Sequence, residues 1–178
     1  MTPDRTANVL IVDDERPLLE SYAAMLGTRY EVATASTGDG ALDTVGEETD
    51  IVLLDRRLPE YSGTELLTAI RERELDCQVL FCSAVVPDID ILSTDPDGYL
   101  HKPVGTDELI DAIDRQLREA GQPEPVGEYL RLERLKSALD DAQQRSRLTA
   151  SQAYQDLLDR LERKEAQLEN SQHTAPAV

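Results

Sequence analysis

The sequence predicts an α/β fold, a doubly wound parallel sheet of five strands, followed by an α-helical hairpin or a coiled-coil-like extension. Two observations predict this fold. Over the first 120 of 178 residues, short apolar runs alternate with segments whose apolar residues recur every three or four positions. After residues 121–127, which are rich in Gly and Pro, the chain contains neither residue as far as Glu169. The first pattern is typical of βαβ units and the second of long helices.

The strands and helices of the first 120 residues follow in order from these patterns. The apolar runs do not alternate with polar residues, so we predict strands that are buried on both faces. Three runs are strongly apolar and two are weaker: Val9–Val12, Ile51–Leu54 and Val79–Cys82, then Tyr30–Ala35 and Tyr99–Leu100. Four helical stripes lie between and after them: Leu18–Leu26, Ala41–Val45, Leu66–Ile70 and Leu109–Leu117.

The crossover between Ser83 and Tyr99 departs from this alternation. It contains Pro87, Pro96 and four aspartates. Proline removes a backbone donor and disfavours a helix interior, and the aspartates favour turns. We therefore predict a short turn or an irregular loop at this crossover instead of a full helix.

The C-terminal segment carries two narrow apolar stripes, separated by a break around residues 147–151. The stripes consist of Tyr129, Leu132, Leu135, Leu139 and Ala142, and of Tyr154, Leu157, Leu161 and Leu168. A hairpin of two helices and one long helix fit this pattern equally well. Each stripe must pack on its neighbour, on the first domain or on another chain. We expect residues 170–178 to form a disordered tail.

Composition excludes several classes of function. The chain has 36 acidic and 18 basic residues, a formal charge of −18, which argues against unaided binding to nucleic acid or to an anionic membrane. Residues 1–8 lack the apolar region typical of a signal peptide, no apolar run is long enough to span a bilayer, and the two cysteines are too few for a disulfide framework. We therefore expect a cytoplasmic protein with reduced thiols. The acidic, Lys-poor composition fits a protein adapted to concentrated salt and an ordinary acidic protein equally well.

Polar residues follow four of the predicted strands. Asp13 and Asp14 follow the first, Asp55 the third, Ser83 ends the fourth, and Lys102 follows the fifth. In an open α/β sheet, ligands bind beyond the carboxyl ends of the strands, so we expect these side chains to converge. Clustered carboxylates without Cys or His suit Mg²⁺. A carboxylate beside Mg²⁺ and a lysine can act as a nucleophile toward a phosphoryl group.

The motifs at these strand ends resemble those of the receiver domain of two-component response regulators. The matching segments are VLIVDDE (9–15), DRRLPEYSG (55–63), CSA (82–84) and GYLHKP (98–103), in order and at near-normal spacing. The resemblance covers about Asn8–Ala120. It implies a flavodoxin-like sheet with the strand order 2-1-3-4-5, and a protein that receives a phosphoryl group from a sensor histidine kinase.

The resemblance also implies a metal site. Asp14 would ligate Mg²⁺ directly, and Asp13 would act mainly through water. Asp55 and the backbone carbonyl of Arg57 would complete the site.

The phosphoryl site implied by the resemblance centres on Asp55 as the phosphoacceptor. Lys102 would bridge to the phosphoryl group, Ser83 would donate a hydrogen bond to it, and Tyr99 would be the aromatic residue that changes orientation with Ser83 in the switch. The Lys102–Pro103 peptide would be cis.

The segment after the receiver resembles the HalX module of halophilic archaeal regulators, in its Tyr- and Leu-rich helix, its central Ser/Thr break and the stretch Tyr154–Leu158. We therefore divide the chain into a receiver domain (1–120), a linker (121–127), a HalX-like output domain (128–169) and the tail. The HalX resemblance also favours a halophilic source for the acidic surface.

Three functions are compatible with these features. The first is a response regulator whose C-terminal helices contact a downstream protein or a second copy of the chain. The second is a transcriptional regulator whose helices bind DNA, which is not favoured because residues 128–178 carry nine acidic against eight basic residues. The third is a phosphatase with an aspartate nucleophile. This is disfavoured because such enzymes place a general acid two residues later, where this chain has Arg57.

Overall fold

A computed structural model describes residues 6–142 and 148–173 of the chain. Its five strands are β1 (Asn8–Val12), β2 (Glu31–Ala35), β3 (Ile51–Leu54), β4 (Gln78–Ser83) and β5 (Gly98–His101). All neighbouring strands are parallel, and the order is β2-β1-β3-β4-β5. The predicted sheet and its strand order are therefore confirmed.

Helices connect the strands and continue after the last one. They are α1 (Arg16–Leu26), α2 (Gly38–Thr44), α3 (Gly63–Arg71), α4 (Ile91–Thr94), α5 (Thr106–Glu119), α6 (Glu124–Ala142) and α7 (Gln152–His173). Helix α4 has a single turn, as the prolines and aspartates of this crossover predict. The residue that caps its C-terminus, Asp95, has a left-handed backbone with a φ of 55°.

The sheet divides the receiver core into two layers. On one face, the strands pack on α2 and α3, whose buried residues include Ala41, Leu66 and Ile70. On the other face they pack on α1 and α5, with Leu26 and Ile113 fully buried. The central strand β3 is buried along its whole length, which explains why its apolar residues do not alternate with polar ones.

The register of the strands sets the position of the polar residues that follow them. One row of partners crosses the sheet near its carboxyl edge: Ala35, Val12, Leu54, Phe81 and Tyr99. Asp13 and Asp55 are the next residues after β1 and β3. They therefore lie side by side at this edge, as the strand-end argument predicts.

Helices α6 and α7 form a hairpin, one of the two arrangements compatible with the sequence. Leu132, Leu135 and Leu139 of α6 are buried against Tyr154 and Leu157 of α7. Arg160 of α7 donates a hydrogen bond to Glu128 of α6, and Lys164 forms an ion pair with the same carboxylate. Each narrow apolar stripe is therefore packed against the other, as the sequence requires.

The boundaries of the hairpin differ from the predicted ones at both ends. Helix α6 begins at Glu124, inside the segment predicted as a linker. Pro125 is accommodated because the first turn of a helix does not use its backbone donors. Helix α7 continues to His173, so residues 170–173 of the predicted disordered tail are helical. Residues 174–178 and residue 147, the first of the predicted break at 147–151, lie outside the described residues.

Arg134 anchors α6 to the receiver. Its Nε donates to the carbonyl of Asp97 at 3.0 Å and its Nη2 to the Oε1 of Gln116 at 3.2 Å, and its guanidinium forms an ion pair with Glu119. Burial lowers the pKa of Arg134 to about 10, so the side chain remains charged at neutral pH. A second ion pair joins Arg131 to Asp95 at the end of α4. The hairpin is therefore held against α4, β5 and α5.

Within the described ranges, no helix is both long enough and apolar enough to cross a membrane.

We predict that Leu66→Ala lowers the free energy of unfolding by about 2–5 kcal/mol, because Leu66 on α3 is fully buried and its truncation leaves a cavity. Val86→Ala is the control, since Val86 is 48% exposed, and it should change the same quantity by less than about 0.5 kcal/mol. Denaturant unfolding in concentrated salt measures both. Equal effects would contradict the placement of α3 against the core.

Candidate functional site

Four of the predicted polar residues meet at the carboxyl edge of the sheet. The ammonium of Lys102 donates to the Oδ2 of Asp55 at 2.6 Å and also to the Oδ2 of Asp13. The hydroxyl of Ser83 donates to the Oδ1 of Asp55 at 2.7 Å. Residues 13, 55, 83 and 102 are thus brought together from four strand ends that lie up to 89 positions apart in the sequence.

Backbone donors fix the two carboxylates further. The amide of Arg57 donates to the Oδ1 of Asp55 at 3.0 Å, and the amide of Glu15 donates to the Oδ1 of Asp13 at 2.9 Å. Asp55 therefore accepts hydrogen bonds from a hydroxyl, an ammonium and an amide. A carboxylate held by three donors in this way has a fixed orientation before any partner binds.

The site is largely withdrawn from solvent. Asp13 and Asp55 are 2% and 8% exposed, and Ser83 is buried. Burial disfavours the charged ammonium of Lys102, but its hydrogen bonds to Asp13 and Asp55 outweigh that effect and raise its pKa above the ordinary lysine value. The lysine therefore stays protonated at neutral pH and balances part of the negative charge of the two carboxylates.

The loop after β3 is shaped by a close approach of its backbone to α3. A side chain at Gly63 would place its Cβ 2.6 Å from the Cα of Arg56 and 2.7 Å from the carbonyl oxygen of Asp55, so only glycine fits. Ser62 caps α3 by accepting from the amide of Glu65, and Glu65 accepts in return from the amide of Ser62. The capped helix start and the glycine together hold the backbone around Asp55.

The remaining predicted residues lie around this cluster. Asp14 is exposed beside it, and the side chain of Arg57 is exposed as well. Tyr99 is half-buried on β5 and its hydroxyl donates to the carbonyl of Val85 at 2.5 Å. The Lys102–Pro103 peptide is cis, as the resemblance implies.

The donor set fits Mg²⁺. In the described ranges, no three His, Cys, Asp or Glu side chains form a group that could hold a metal ion by themselves. Magnesium takes one or two carboxylates and fills its other positions with water and substrate oxygens, so a larger cluster is not required. Two buried carboxylates, the exposed Asp14 and a backbone carbonyl are oxygen donors of this kind.

Comparison with known proteins decides the family. The family model of the response regulator receiver domain matches residues 9–114. The chain belongs to this family. A second family model, that of the HalX domain, matches residues 123–175 and covers the hairpin. The chain therefore contains a response regulator receiver domain followed by a HalX domain.

Relatives with curated names agree with this assignment. A protein of Haloferax volcanii, a halophilic archaeon, is named as a candidate transcriptional regulator. It is 41% identical over 155 residues, which are 86% of this chain and 26% of that protein. The transcriptional regulatory protein KdpE of Mycobacterium tuberculosis is 37% identical over 127 residues, 66% of this chain and 56% of its own. The chain thus spans about a quarter of the first relative and about half of the second.

Solved structures show the same receiver fold. A CheY-like receiver domain from Methanospirillum hungatei superposes with a TM-score of 0.61 at 28% identity, covering 65% of this chain and 97% of that one. The response regulator TrrA of Thermotoga maritima, solved in complex with Mg²⁺ and beryllium fluoride, has a TM-score of 0.55 at 28% identity. Its match covers 63% of this chain and 100% of that one. The covered part corresponds to the receiver domain.

Sequence reasoning missed one residue of this region, Arg56. Its guanidinium lies 5.6 Å from the ring centroid of Phe81 and 6.0 Å from that of Tyr99, and it forms an ion pair with Asp90. Its position next to Asp55 was the only signal in the sequence, and a run of two arginines is usually a solvated surface. The partner Asp90 lies 34 residues away in an irregular crossover.

The cysteines take no part in the site chemistry. Cys77 and Cys82 are free and buried. Burial raises the pKa of the Cys82 thiol to about 11, so it is protonated at neutral pH and packs as a small apolar side chain.

We predict that Lys102→Met lowers the free energy of unfolding at pH 7 by about 3–5 kcal/mol, because it leaves two buried carboxylates without their cation. Lys136→Met is the matched control. Lys136 pairs with Asp140 four residues later on a partly exposed helix face, and its loss should cost about 0.5 kcal/mol or less. Chemical denaturation measures both. A Lys102→Met variant as stable as wild type would contradict the charge balance described above.

Proposed function

We propose that this response regulator is switched by Mg²⁺-dependent phosphorylation of Asp55 by a sensor histidine kinase, and that its HalX hairpin passes the signal on through protein contacts. One observation carries the proposal. The Asp55 carboxylate lies between a hydroxyl and an ammonium, at 2.7 Å and 2.6 Å, which are donors suited to the oxygens of an incoming phosphoryl group.

Transfer of the phosphoryl group is a nucleophilic displacement at phosphorus. An oxygen of Asp55 attacks the phosphorus of a phosphohistidine on the kinase, and the P–N bond breaks. The electron pair of that bond stays on the imidazole nitrogen. Lys102 and Ser83 then donate to phosphoryl oxygens instead of to the Asp55 carboxylate. A bound Mg²⁺, held by Asp13, Asp14, Asp55 and the Arg57 carbonyl, would supply electrostatic stabilisation of the phosphoryl charge.

Output through protein contacts is favoured over DNA binding by the state of the basic residues on α6. Arg131, Arg134 and Lys136 form ion pairs with Asp95, Glu119 and Asp140. In the docked hairpin these three are therefore engaged within the chain and are not free to contact DNA phosphates, and residues 128–178 as a whole are close to neutral. Regulation of transcription, suggested by the names of the relatives, would then act through a partner protein or through a second copy of the chain.

Phosphatase activity is not part of this proposal. Catalytic turnover by an aspartate nucleophile needs a general acid close to the leaving group. The residue two positions after Asp55 is Arg57, whose side chain is exposed and permanently charged. We therefore propose a protein that accepts one phosphoryl group and loses it slowly to water, without turnover on phosphomonoesters.

We predict that a small phosphodonor such as acetyl phosphate, with Mg²⁺, adds one acid-labile phosphoryl mass to the intact protein, and that Asp55→Asn abolishes the addition. Omission of Mg²⁺ should reduce the yield strongly. Intact-mass spectrometry measures the product. Asp43→Asn serves as the control, since Asp43 is an exposed residue of α2, and it should label as wild type does. Full labelling of Asp55→Asn would place the acceptor elsewhere.

A further inference from the structure

Arg56 is held between the acceptor and the crossover that carries α4. Its side chain is only 12% exposed although it is a charged residue. The guanidinium packs on the faces of Phe81 and Tyr99 and pairs with Asp90, the residue directly before α4. A cation that is stacked on two rings and ion-paired is specifically positioned, because each of these contacts restricts a long and otherwise mobile side chain.

These contacts belong to a continuous series of contacts that begins and ends at Asp55. Ser83 donates to Asp55, and the amide of Val85 donates to the hydroxyl of Ser83 at 3.3 Å. The carbonyl of Val85 accepts from the hydroxyl of Tyr99 at 2.5 Å, and Tyr99 packs on Arg56, the neighbour of Asp55 in the chain. A change in the hydrogen bonds of Asp55 therefore reaches Arg56 from two directions, through the backbone and through the Tyr99 ring.

The same arginine reaches the hairpin through α4. Asp90 is followed by Ile91, which is fully buried in the hairpin core beside Leu132 and Leu135. Tyr99 packs against the same cluster. The Arg56–Asp90 ion pair thus ties the acceptor loop to the single helical turn on which the HalX hairpin rests.

We propose that Arg56 couples the phosphorylation state of Asp55 to the docking of the HalX hairpin, with the Arg56–Asp90 pair as the latch of the docked state. The proposal rests on the proposed function and adds its regulation. A phosphoryl group brings a charge of about −1.5 to −2 to the residue beside Arg56. The phosphoryl group accepts the hydrogen bond of the Ser83 hydroxyl, so the Ser83–Asp55 hydrogen bond is lost. It also competes with the Asp90 carboxylate for the guanidinium of Arg56. The latch opens and the hairpin is held less tightly.

Hydrogen exchange of α6 in the whole chain tests this coupling. Exchange of the backbone amides of residues 129–142 is measured by mass spectrometry with Mg²⁺ alone and with Mg²⁺ plus beryllofluoride as the phosphoryl mimic. We expect beryllofluoride to speed this exchange about fivefold or more in the wild-type protein, as for an ordinary allosteric coupling. Amides of β3 in the receiver core should change by less than about twofold.

Variants of the latch separate coupling from general stability. Arg56→Ala and Asp90→Ala should each raise α6 exchange with Mg²⁺ alone, and beryllofluoride should then add less than about a twofold change. The double variant should match either single one. Arg56→Lys retains the charge but stacks less well, so it should recover part of the beryllofluoride response. Arg29→Ala removes an exposed arginine paired with Asp114 on the receiver, and this control should respond as wild type does.

The outcomes distinguish this proposal from the proposed function. Phosphoryl incorporation is followed by intact mass on parallel samples of the same proteins, treated with acetyl phosphate and Mg²⁺ in place of beryllofluoride. If Asp55 is labelled at full yield and α6 exchange does not change in wild type, the latch is wrong while the acceptor assignment stands. A response to beryllofluoride that is undiminished in Arg56→Ala and Asp90→Ala also overturns the latch. If no phosphoryl mass is added to wild type, the proposed function itself fails.

Discussion

The ammonium of Lys102 and the two carboxylates that it joins constrain the rest of the receiver. Asp13 and Asp55 are brought together by the register of β1 and β3, and their negative charges in a buried setting would repel without a cation between them. Lys102, which follows β5, supplies that cation from the opposite side of β4. The carboxyl ends of three strands are therefore held at one level by a single charge cluster. Ser83 at the end of β4, Gly63 at the start of α3 and Tyr99 on β5 are arranged around it.

Much of the fold and the centre of the site could be predicted from the sequence because both depend on local patterns. Buried parallel strands are short apolar runs, and a strand end followed by Asp13, Asp55 or Lys102 is visible in one line of sequence. The sheet then brings these ends together without further information. Tyr99 and the cis peptide before Pro103 came from the family resemblance and not from a pattern.

The hairpin, the start of α6 and the Arg56–Asp90 pair depend on contacts that leave no pattern in the sequence. The apolar stripes of α6 and α7 have the same spacing in a hairpin and in a coiled coil, so only the packed structure distinguishes the two arrangements. The start of α6 at Glu124 was hidden by Pro125 and Gly127, because both residues are also typical of linkers. The pair Arg56–Asp90 joins two polar residues far apart in sequence, and neither lies on a periodic face.

The negative charge of the chain is concentrated in the receiver domain, whereas the hairpin is nearly neutral. Up to Pro125 there are 27 acidic and 10 basic residues, and from Glu128 onward nine and eight. The receiver therefore carries almost all of the excess, and the few acids of the site explain little of it. The similarity to a protein of a halophilic archaeon agrees with a surface adapted to concentrated salt. The nearly neutral hairpin can rest on this acidic domain through Arg131 and Arg134, which find acidic partners there.

The most direct test of the central claim is a crystal structure of the whole chain with Mg²⁺ and beryllofluoride. Our account predicts beryllium bonded to an oxygen of Asp55, with Lys102 and Ser83 turned from the carboxylate to fluorine atoms. It also predicts Mg²⁺ bound directly by Asp14, Asp55 and the backbone carbonyl of Arg57, with Asp13 contacting the ion mainly through water. Beryllofluoride bound at another residue, with Lys102 still bridging Asp13 and Asp55, would contradict the account.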